Sequence, residues 1–228
     1  MTAPTPSPAD RLPLFPLPLV LFPGAALPLH IFEPRYRQLL RDVRGGHPAF
    51  GDGRFGIVLA GAGGQPGAGL VGCVAQVRDV ETLPDGRSNL VVDGGSRFVI
   101  RRLVDTDRPY AVAEVAPYPD LDDAVDAGTL ERTAERVRAV LGRVAAAAAT
   151  LADRESAPPT LPDDPTELGF AVGAMVDFDL ADRQRLLASR SPAERLVIVL
   201  ELLARAVDGV EARAAVHTGA RSNGKGPH

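Results

Sequence analysis

The residue types that carry out most protein chemistry are scarce in this sequence. Lysine occurs once, at Lys225, inside the polar stretch GARSNGKGPH. A P-loop requires the string GxxxxGK[ST], in which the lysine reaches the β and γ phosphates of a nucleotide, and the sequence contains no such string. A Ser-Lys dyad or a Schiff base requires a lysine held in a packed site, which a tail of this composition does not provide. These three chemistries are therefore excluded.

The histidines and the single cysteine do not form a pattern typical of a metal site or a nucleophile. His30, His47, His217 and His228 are scattered, and one cysteine cannot complete a zinc-type set. His30 lies in the apolar stretch LPLHIF, which indicates a wall of the fold, and no GxSxG elbow accompanies it. Cys73 lies in the apolar stretch LVGCV, and such surroundings raise the pKa of a thiol. We expect no metal, no cofactor and no catalytic residue, and hence no enzyme.

A stretch of twenty-one residues, Leu12 to Phe32, contains no acid, no Lys and no Arg. Five prolines interrupt it, and each lacks the amide hydrogen that a membrane-spanning helix needs. The residues MTAPTPSPAD before it lack the basic region of a signal peptide. The sequence therefore predicts extended, proline-punctuated strands, no membrane association and a cytoplasmic location.

The charge of the chain does not favour nucleic acid as a partner, since the net charge is -4. The densest basic cluster follows Pro34, on one face of a short predicted helix, at Arg35, Arg37, Arg41 and Arg44. One interpretation is an edge that binds phosphate or peptide. The other is a solvated face partly neutralised by Glu33 and Asp42, and the balanced charge of the N-terminal half favours it.

The N-terminal half has the pattern of a β-sandwich or barrel, because short apolar segments alternate with Gly, Pro and Asp. It predicts strands near 13–17, 27–32, 55–60, 70–82, 88–93, 97–105 and 110–117. The string Leu-Pro-Asp-Gly-Arg at 83–87 predicts a hairpin turn, and Asp93-Gly94-Gly95 a second one. The helix after Glu33 is expected to end at Gly45, and the glycine-rich segment 61–69 is expected to be a mobile loop.

The C-terminal half has helical spacing of apolar residues, beginning with a long amphipathic helix near Thr129. Capping sequences that start at Asp164 and Ser191 predict two further helices, and Asp179 can cap another. We expect a disordered tail at 1–10, a β-barrel domain at 11–119, a helical bundle at 120–213 and a disordered tail at 214–228. The predicted fold class is α+β.

Three stretches also resemble a known family: LPLFPLPLVLFPGAALPLHIFEPRYRQLL, GCVAQVRDVETLPDGRSNLVVDGGSRFVI and DRQRLLASRSPAERLVIVLELL. Over roughly residues 11 to 211 the chain is similar to the N-terminal substrate-binding domain of the Lon proteases. The resemblance implies a PUA-like β-barrel with one inserted helix, followed by a bundle of about four helices. It implies a free-standing domain, because the ATPase and peptidase modules of those proteases have no counterpart in this sequence.

The resemblance implies a non-enzymatic module that binds unfolded or degron-like polypeptides and presents them to a separate ATP-dependent protease. The candidate binding surface combines residues of the proline-rich ribbon and of the helix start: Phe22, Pro23, Leu27, Phe32, Arg35 and Tyr36. Such binding requires an accessible apolar patch or an unpaired strand edge. The alternative is an RNA-binding protein, since PUA-like barrels occur in proteins that handle RNA, although the charge and the absence of lysine from the barrel argue against it.

Overall fold

The computed structural model describes residues 11–61, 66–122, 125–151 and 160–223. The chain forms two compact units. The first comprises the chain up to Asp120 together with Gly173–Arg190, and the second comprises Leu121–Val172 and the chain from Ser191 onward. The predicted tail at 1–10 and the centre of the predicted loop at 61–69 lie outside the described residues. The domain limits proposed from the sequence stay a prediction.

Six strands form one sheet in the first unit: β1 (Arg11–Leu17), β2 (Ala26–Ile31), β3 (Arg54–Leu59), β4 (Val71–Thr82), β5 (Ser88–Val104) and β6 (Val112–Pro117). Their order is β2-β5-β4-β3-β1-β6, and β5 also pairs with β6. The first half of β5 pairs with β2, and its second half pairs with β6. The strands β5, β4, β3, β1 and β6 thus close into a ring, as a barrel requires.

Side chains from several strands of this ring pack together as an apolar core. Its buried members are Leu12, Leu14, Val58, Phe98, Ile100 and Ala113. Two glycines permit the tight packing of strands and rings, since a Cβ at Gly56 or Gly72 would lie 2.6 Å from the Phe98 ring. The predicted strands agree with the observed ones to within two residues, apart from the segment around residue 94.

One predicted turn is wrong. The sequence Asp93-Gly94-Gly95 predicts a tight turn, whereas β5 runs through it, with a shift in its register to β4 nearby. Gly94 is required here because the segment around Phe22 lies directly against its backbone. A Cβ at Gly94 would collide with the carbonyl oxygen of Phe22, and the Gly94 N–H donates to the carbonyl of Ala25 at 2.8 Å. The loop before β2 is thereby hydrogen-bonded directly onto the backbone of β5.

One helix, α1 (Pro34–Arg41), interrupts the strands and continues as a π-helical turn over Asp42–Gly46. Proline occupies its first turn, where no amide hydrogen is needed. Gly45 ends the helical segment with φ of +105°, a conformation that glycine adopts without steric cost. The predicted start and end of this helix are therefore confirmed.

Four more helices follow: α2 (Ala127–Leu151), α3 (Pro165–Met175), α4 (Leu180–Ala188) and α5 (Pro192–Asn223). Side-chain oxygens cap three of them, as the sequence predicts. The carboxylate of Asp179 accepts from the Asp182 N–H at 2.9 Å, and the Ser191 hydroxyl accepts from the Glu194 N–H at 2.9 Å. At α3 the Asp164 carboxylate accepts from the N–H of Thr166 at 2.8 Å. The α+β class with a helical C-terminal part is thus confirmed.

The second unit is held together by α2 and α5, which pack along each other. Their buried side chains include Ala134, Val137, Leu141, Leu196, Val199 and Leu203. Arg195 is fully buried there, where its guanidinium lies 3.8 Å from the Phe170 ring centroid and donates to the Thr166 carbonyl at 2.9 Å. The apolar stripes of these helices are mutual core, as predicted.

α5 continues to Asn223, so residues 214–223 are helical where the sequence predicts a tail. The stretch EARAA at 211–215 has high helix propensity, which favours this extension. Residues 224–228 lie outside the described part of the chain.

Candidate functional site

The strand β2 forms an open edge of the sheet. In the described part of the chain it pairs with β5 alone, whereas each of the other five strands has two or more neighbours. An open edge offers unpaired backbone groups to which an extended peptide can add as a further strand. Pro28 lies in the middle of β2 and has no amide hydrogen, which limits that pairing locally.

Side chains alternate across β2, and its outward set is Ala26, Pro28 and His30. The register places His30 opposite Asn89 of β5, and Asn89 opposite Glu81 of β4. The Asn89 amide nitrogen donates to the Glu81 carboxylate at 3.0 Å. Its oxygen therefore faces His30, whose Nδ1 lies 2.8 Å away and acts as the donor. These three residues form a polar ladder across three strands on the outer face of the sheet.

A groove of about 580 Å³ lies along this ladder. Its walls combine apolar side chains with two carboxylates, and it is lined by Pro28, Leu29, His30, Asp79, Val80, Glu81, Asn89, Leu90 and Val91. Phe32 follows β2 directly and stacks on the His30 ring, with 6.1 Å between ring centroids. It is 59% exposed, the largest exposed fraction among the large apolar side chains described. We call the groove together with Phe32 the β2 groove.

The structure places Phe22, from the predicted surface, inside the fold. This residue is 1% exposed. The Arg183 guanidinium covers its ring at 5.6 Å from the centroid, and a Cβ at Gly173 would lie 2.9 Å from it. Pro23 and Leu27 are half-buried, and Leu27 points to the side of β2 opposite the groove. Phe22 is thus a core side chain in this fold.

The helix-start residues are split between interior and surface. Tyr36 is 6% exposed, and its ring packs against Phe15 at a tilt of 43°, with 4.1 Å between ring centroids. Burial raises the pKa of its hydroxyl above the ordinary value. Arg35 is exposed, lies over the Tyr36 ring at 4.6 Å and pairs with Glu33 at 2.8 Å. A binding role for the six predicted residues stays a prediction. Of the six, Phe32 and Arg35 are exposed and could contact a ligand directly.

Sequence reasoning missed the polar ladder. It interprets His30 as a wall of the fold because the stretch LPLHIF is apolar, whereas His30 is exposed. The alternation of ALPLHI contains the correct signal, since every second residue from Ala26 faces outward. Asn89 and Glu81 could not be found in this way, because only the register of three strands brings them to His30.

The interior holds no reactive thiol. Cys73 is fully buried and close to the carbonyl of Gly95, and burial raises the pKa of its thiol to about 12. Within the described residues, no group of three or more His, Cys, Asp or Glu side chains is placed to hold a metal ion. Likewise, none of the helices in that part of the chain is both long and apolar enough to cross a membrane.

The fold is that of a closed β-barrel domain with an inserted helix, followed in the same chain by helices. The sequence profile of the ATP-dependent protease La (LON) substrate-binding domain matches residues 11–205. The chain belongs to this family.

Relatives with the same domain are much longer. The chain is 29% identical over 219 residues to a Lon protease of Desulfovibrio desulfuricans, with 93% of this chain and 24% of that protein covered. It is 31% identical over 208 residues to a Lon protease of Chloroflexus aurantiacus, with 87% of this chain and 24% of that protein covered. The chain thus spans about a quarter of the length of these relatives.

Solved structures show the same fold. A Lon N-terminal domain protein from Xanthomonas campestris superimposes with a TM-score of 0.59 at 29% identity, covering 84% of this chain and 97% of that one. The N-terminal domain of a Lon protease of the Mycobacterium avium complex superimposes with a TM-score of 0.62 at 17% identity. It covers 85% of this chain and 98% of that one, and at this identity the likeness bears on the fold alone.

Proposed function

We propose that this protein is a non-enzymatic module that binds unfolded or degron-bearing polypeptides, and that the β2 groove together with the open edge of β2 is its binding surface. The observation that carries the proposal is the open edge of β2 next to an exposed aromatic side chain. An extended polypeptide can add backbone hydrogen bonds along such an edge, and Phe32 supplies an apolar contact at its end. Membership of a substrate-binding family supports this assignment.

The chemistry of the groove suits segments that combine apolar and basic side chains. Val91 and Pro28 supply apolar surface between the strands, while Asp79 and Glu81 place carboxylates on the far wall. The Asp79 side chain is 73% exposed and pairs with Arg78 at 3.2 Å. Because such exposed carboxylates attract cations weakly in salt solution, apolar contacts and strand pairing are expected to supply most of the affinity.

Binding to reduced casein, an unfolded model protein, tests the proposal. Phe32→Ser is expected to weaken binding roughly tenfold or more, as loss of an exposed aromatic anchor does at interfaces. Met175→Ser is the matched control, because Met175 is a comparably exposed apolar residue at 50% but does not line the groove. Equal losses in both variants, or no casein binding at any salt concentration, would contradict the proposal.

The salt dependence of binding and the rate of amide hydrogen exchange provide two further tests. Apolar contacts and strand hydrogen bonds release few counterions, so casein binding should depend weakly on salt, whereas RNA binding would fall steeply. Amide hydrogens of β2 should exchange more slowly when casein is bound, because strand addition uses them or excludes water from them. Tight, salt-sensitive RNA binding without casein binding would instead support the alternative function.

The finer role of the module is that of an adaptor in the cytoplasm, presenting polypeptides to a separate ATP-dependent protease. Its relatives carry the same domain in much longer Lon proteases, which is the basis for this part of the proposal. The test adds the chain to a purified ATP-dependent protease and measures degradation of casein. A faster rate is expected with the wild type and not with Phe32→Ser, and no change with either would exclude the adaptor role for that protease.

A further inference from the structure

A cavity of about 400 Å³ lies between α1 and the turn that joins β4 to β5. Its walls are Arg37, Leu40, Arg41, Arg44, Thr82, Gly86 and Ser88. The three arginines are spaced by four and three residues, so they follow one another on one face of the helical segment. We call this cavity the arginine pocket.

The neighbouring acids are all engaged with other partners. Glu33 pairs with Arg35 at 2.8 Å, and the Asp85 carboxylate accepts from Arg87 Nε at 2.6 Å. Asp42, which could neutralise the helix in the sequence, is 2% exposed and faces inward. Its carboxylate accepts from Tyr110 Oη at 2.5 Å.

The remaining acceptor capacity of Asp42 is used by Gln38 at 2.7 Å and Arg108 at 3.2 Å. Among the described residues, no carboxylate lies within the salt-bridge distance of 4.0 Å from the side-chain nitrogens of Arg37, Arg41 or Arg44. The Arg41 guanidinium does donate to the neutral side-chain oxygen of Gln38, at 2.6 Å. The cationic charge of the pocket is therefore not balanced by these acids. The sequence predicts a face partly neutralised by Glu33 and Asp42. In the structure Glu33 does pair with Arg35, outside the pocket, whereas Asp42 faces inward.

The hairpin turn is shaped to accept the helix side chains. Gly86 has φ of +80°, and a Cβ there would collide with the Arg37 guanidinium, so glycine lets this group lie directly over the turn. Thr82 and Ser88 face each other across the hairpin, which places both hydroxyls on the same side of it. The pocket thus combines three guanidinium groups with two hydroxyl groups.

We propose that the arginine pocket binds a small phosphate anion with two or more negative charges, such as a free pyrophosphate or the diphosphate group of a larger molecule. Guanidinium groups bind phosphate and carboxylate through paired hydrogen bonds. A phosphate group has three or four oxygens to accept from donors on several sides, whereas a carboxylate has two oxygens in one plane. Five donor groups around one cavity therefore suit phosphate better.

A small anion fits this site better than a nucleic acid strand. A strand needs a basic groove that continues over several phosphates, whereas here the positive charge is confined to one cavity in a chain of net charge -4. The site is separate from the β2 groove, because Glu81 and Asn89 of that groove alternate with Thr82 and Ser88 and so lie on the other face of the hairpin. The inference does not depend on polypeptide binding.

Calorimetric titration with pyrophosphate tests the proposal, at constant ionic strength set with sodium chloride. The wild type should bind, and Arg37→Gln or Arg41→Gln should each lower the affinity about tenfold to a hundredfold, as loss of a charge-assisted hydrogen bond does. Arg101→Gln is the matched control, since it removes the same charge from an exposed position on β5 outside the pocket and should leave affinity unchanged. Melting curves in chloride alone verify that each variant is folded.

Further ligands separate the alternatives. Orthophosphate should compete with pyrophosphate more weakly, and a nucleoside diphosphate should bind if a larger molecule carries the group. The inference is overturned if pyrophosphate does not bind at millimolar concentration, if Arg101→Gln loses as much affinity as Arg37→Gln, or if citrate binds equally well. It is also overturned if an oligoribonucleotide binds tightly through these arginines while pyrophosphate does not.

Discussion

Arginine serves opposite purposes in two regions of the sheet unit. Arg97 of β5 has a side chain only 4% exposed, and its guanidinium donates to the carbonyls of Leu187 at 2.8 Å and Ser189 at 2.6 Å and pairs with Asp120. The arginine pocket instead contains two exposed arginines, Arg41 and Arg44, and the half-buried Arg37, without a carboxylate within salt-bridge distance in the described chain. The buried arginine holds the end of α4 to the sheet, whereas the pocket arginines pair with no acid in the described chain, and Arg41 donates to the neutral side chain of Gln38.

This difference shows that the role of an arginine cannot be inferred from the sequence until its burial is known. A buried cation must have partners, because leaving it unpaired away from water costs several kcal/mol. An exposed cation is solvated and can remain without an acid beside it at little cost. Substitutions of a buried paired arginine, a half-buried paired arginine and a half-buried arginine without an acid partner measure this difference directly.

The largest effect is expected at Arg97. Arg97→Gln removes the charge beside Asp120 and leaves buried carbonyl groups without their donor, so the free energy of unfolding should fall by about 3–5 kcal/mol. Denaturant unfolding measures the change, with Arg101→Gln on the exposed side of the same strand as the control, expected within about 0.5 kcal/mol. Equal effects of the two substitutions would contradict the contrast between interior and surface.

The pH dependence of stability tests whether the interior around Cys73, close to Arg97, is shielded from water. Burial raises the pKa of the Cys73 thiol to about 12, although the nearby charge of Arg97 acts to lower it. Above about pH 8.5 the unfolded chain loses this proton while the folded chain keeps it, so stability falls as the pH rises toward 12. The loss should reach about 2 kcal/mol by pH 10.

Cys73→Ala isolates that contribution, since both proteins contain the same tyrosines. The difference between the two unfolding free energies should change by this amount between pH 8 and pH 10. A difference that is constant over this range would show that the thiol ionises as in water.

An intermediate effect is expected at Arg108, which is half-buried. Its side chain is 27% exposed and pairs with the buried Asp42 carboxylate at 3.2 Å. Arg108→Gln should cost about 1 kcal/mol, because Gln38 and Tyr110 still donate to Asp42 and solvent screens part of the lost attraction. Urea unfolding measures it, and a cost as large as that of Arg97→Gln would remove the gradation with burial.

The elements of this fold could be predicted because their signals are local. Proline in a first turn, a capping Asp or Ser, and glycine after a helical stripe each act over a few residues, and they mark α1, α4 and α5 correctly. The turn predicted at Gly94 is wrong because the reason for a glycine at this position is not local. The chain near Phe22 crosses it, and this contact joins positions more than seventy residues apart.

The candidate sites were less predictable, for the same reason. Phe22 and Phe32 lie in one apolar stretch, yet one is 1% exposed and the other 59%. Phe22 is buried because Arg183, more than 160 residues away in the sequence, packs over its ring. Phe32 is exposed because it follows β2, which forms the open edge of the sheet. The inward orientation of Asp42 likewise depends on Tyr110, so the sequence could not reveal that the helix arginines lack it as a partner.

The smallest effect on stability is expected at Arg37, which is half-buried like Arg108 but forms no ion pair in the described chain. In chloride, Arg37→Gln should change the free energy of unfolding by less than about 0.5 kcal/mol, since no ion pair is lost and repulsion from Arg41 and Arg44 is relieved. In pyrophosphate the wild type should become more stable than in chloride, because a ligand that binds only the folded state adds to its stability. Arg37→Gln should gain less, and the comparison is made by urea unfolding in both salts at equal ionic strength. A loss of several kcal/mol in chloride would show that Arg37 is a structural clamp like Arg97, and the two regions would then no longer differ in the use of arginine.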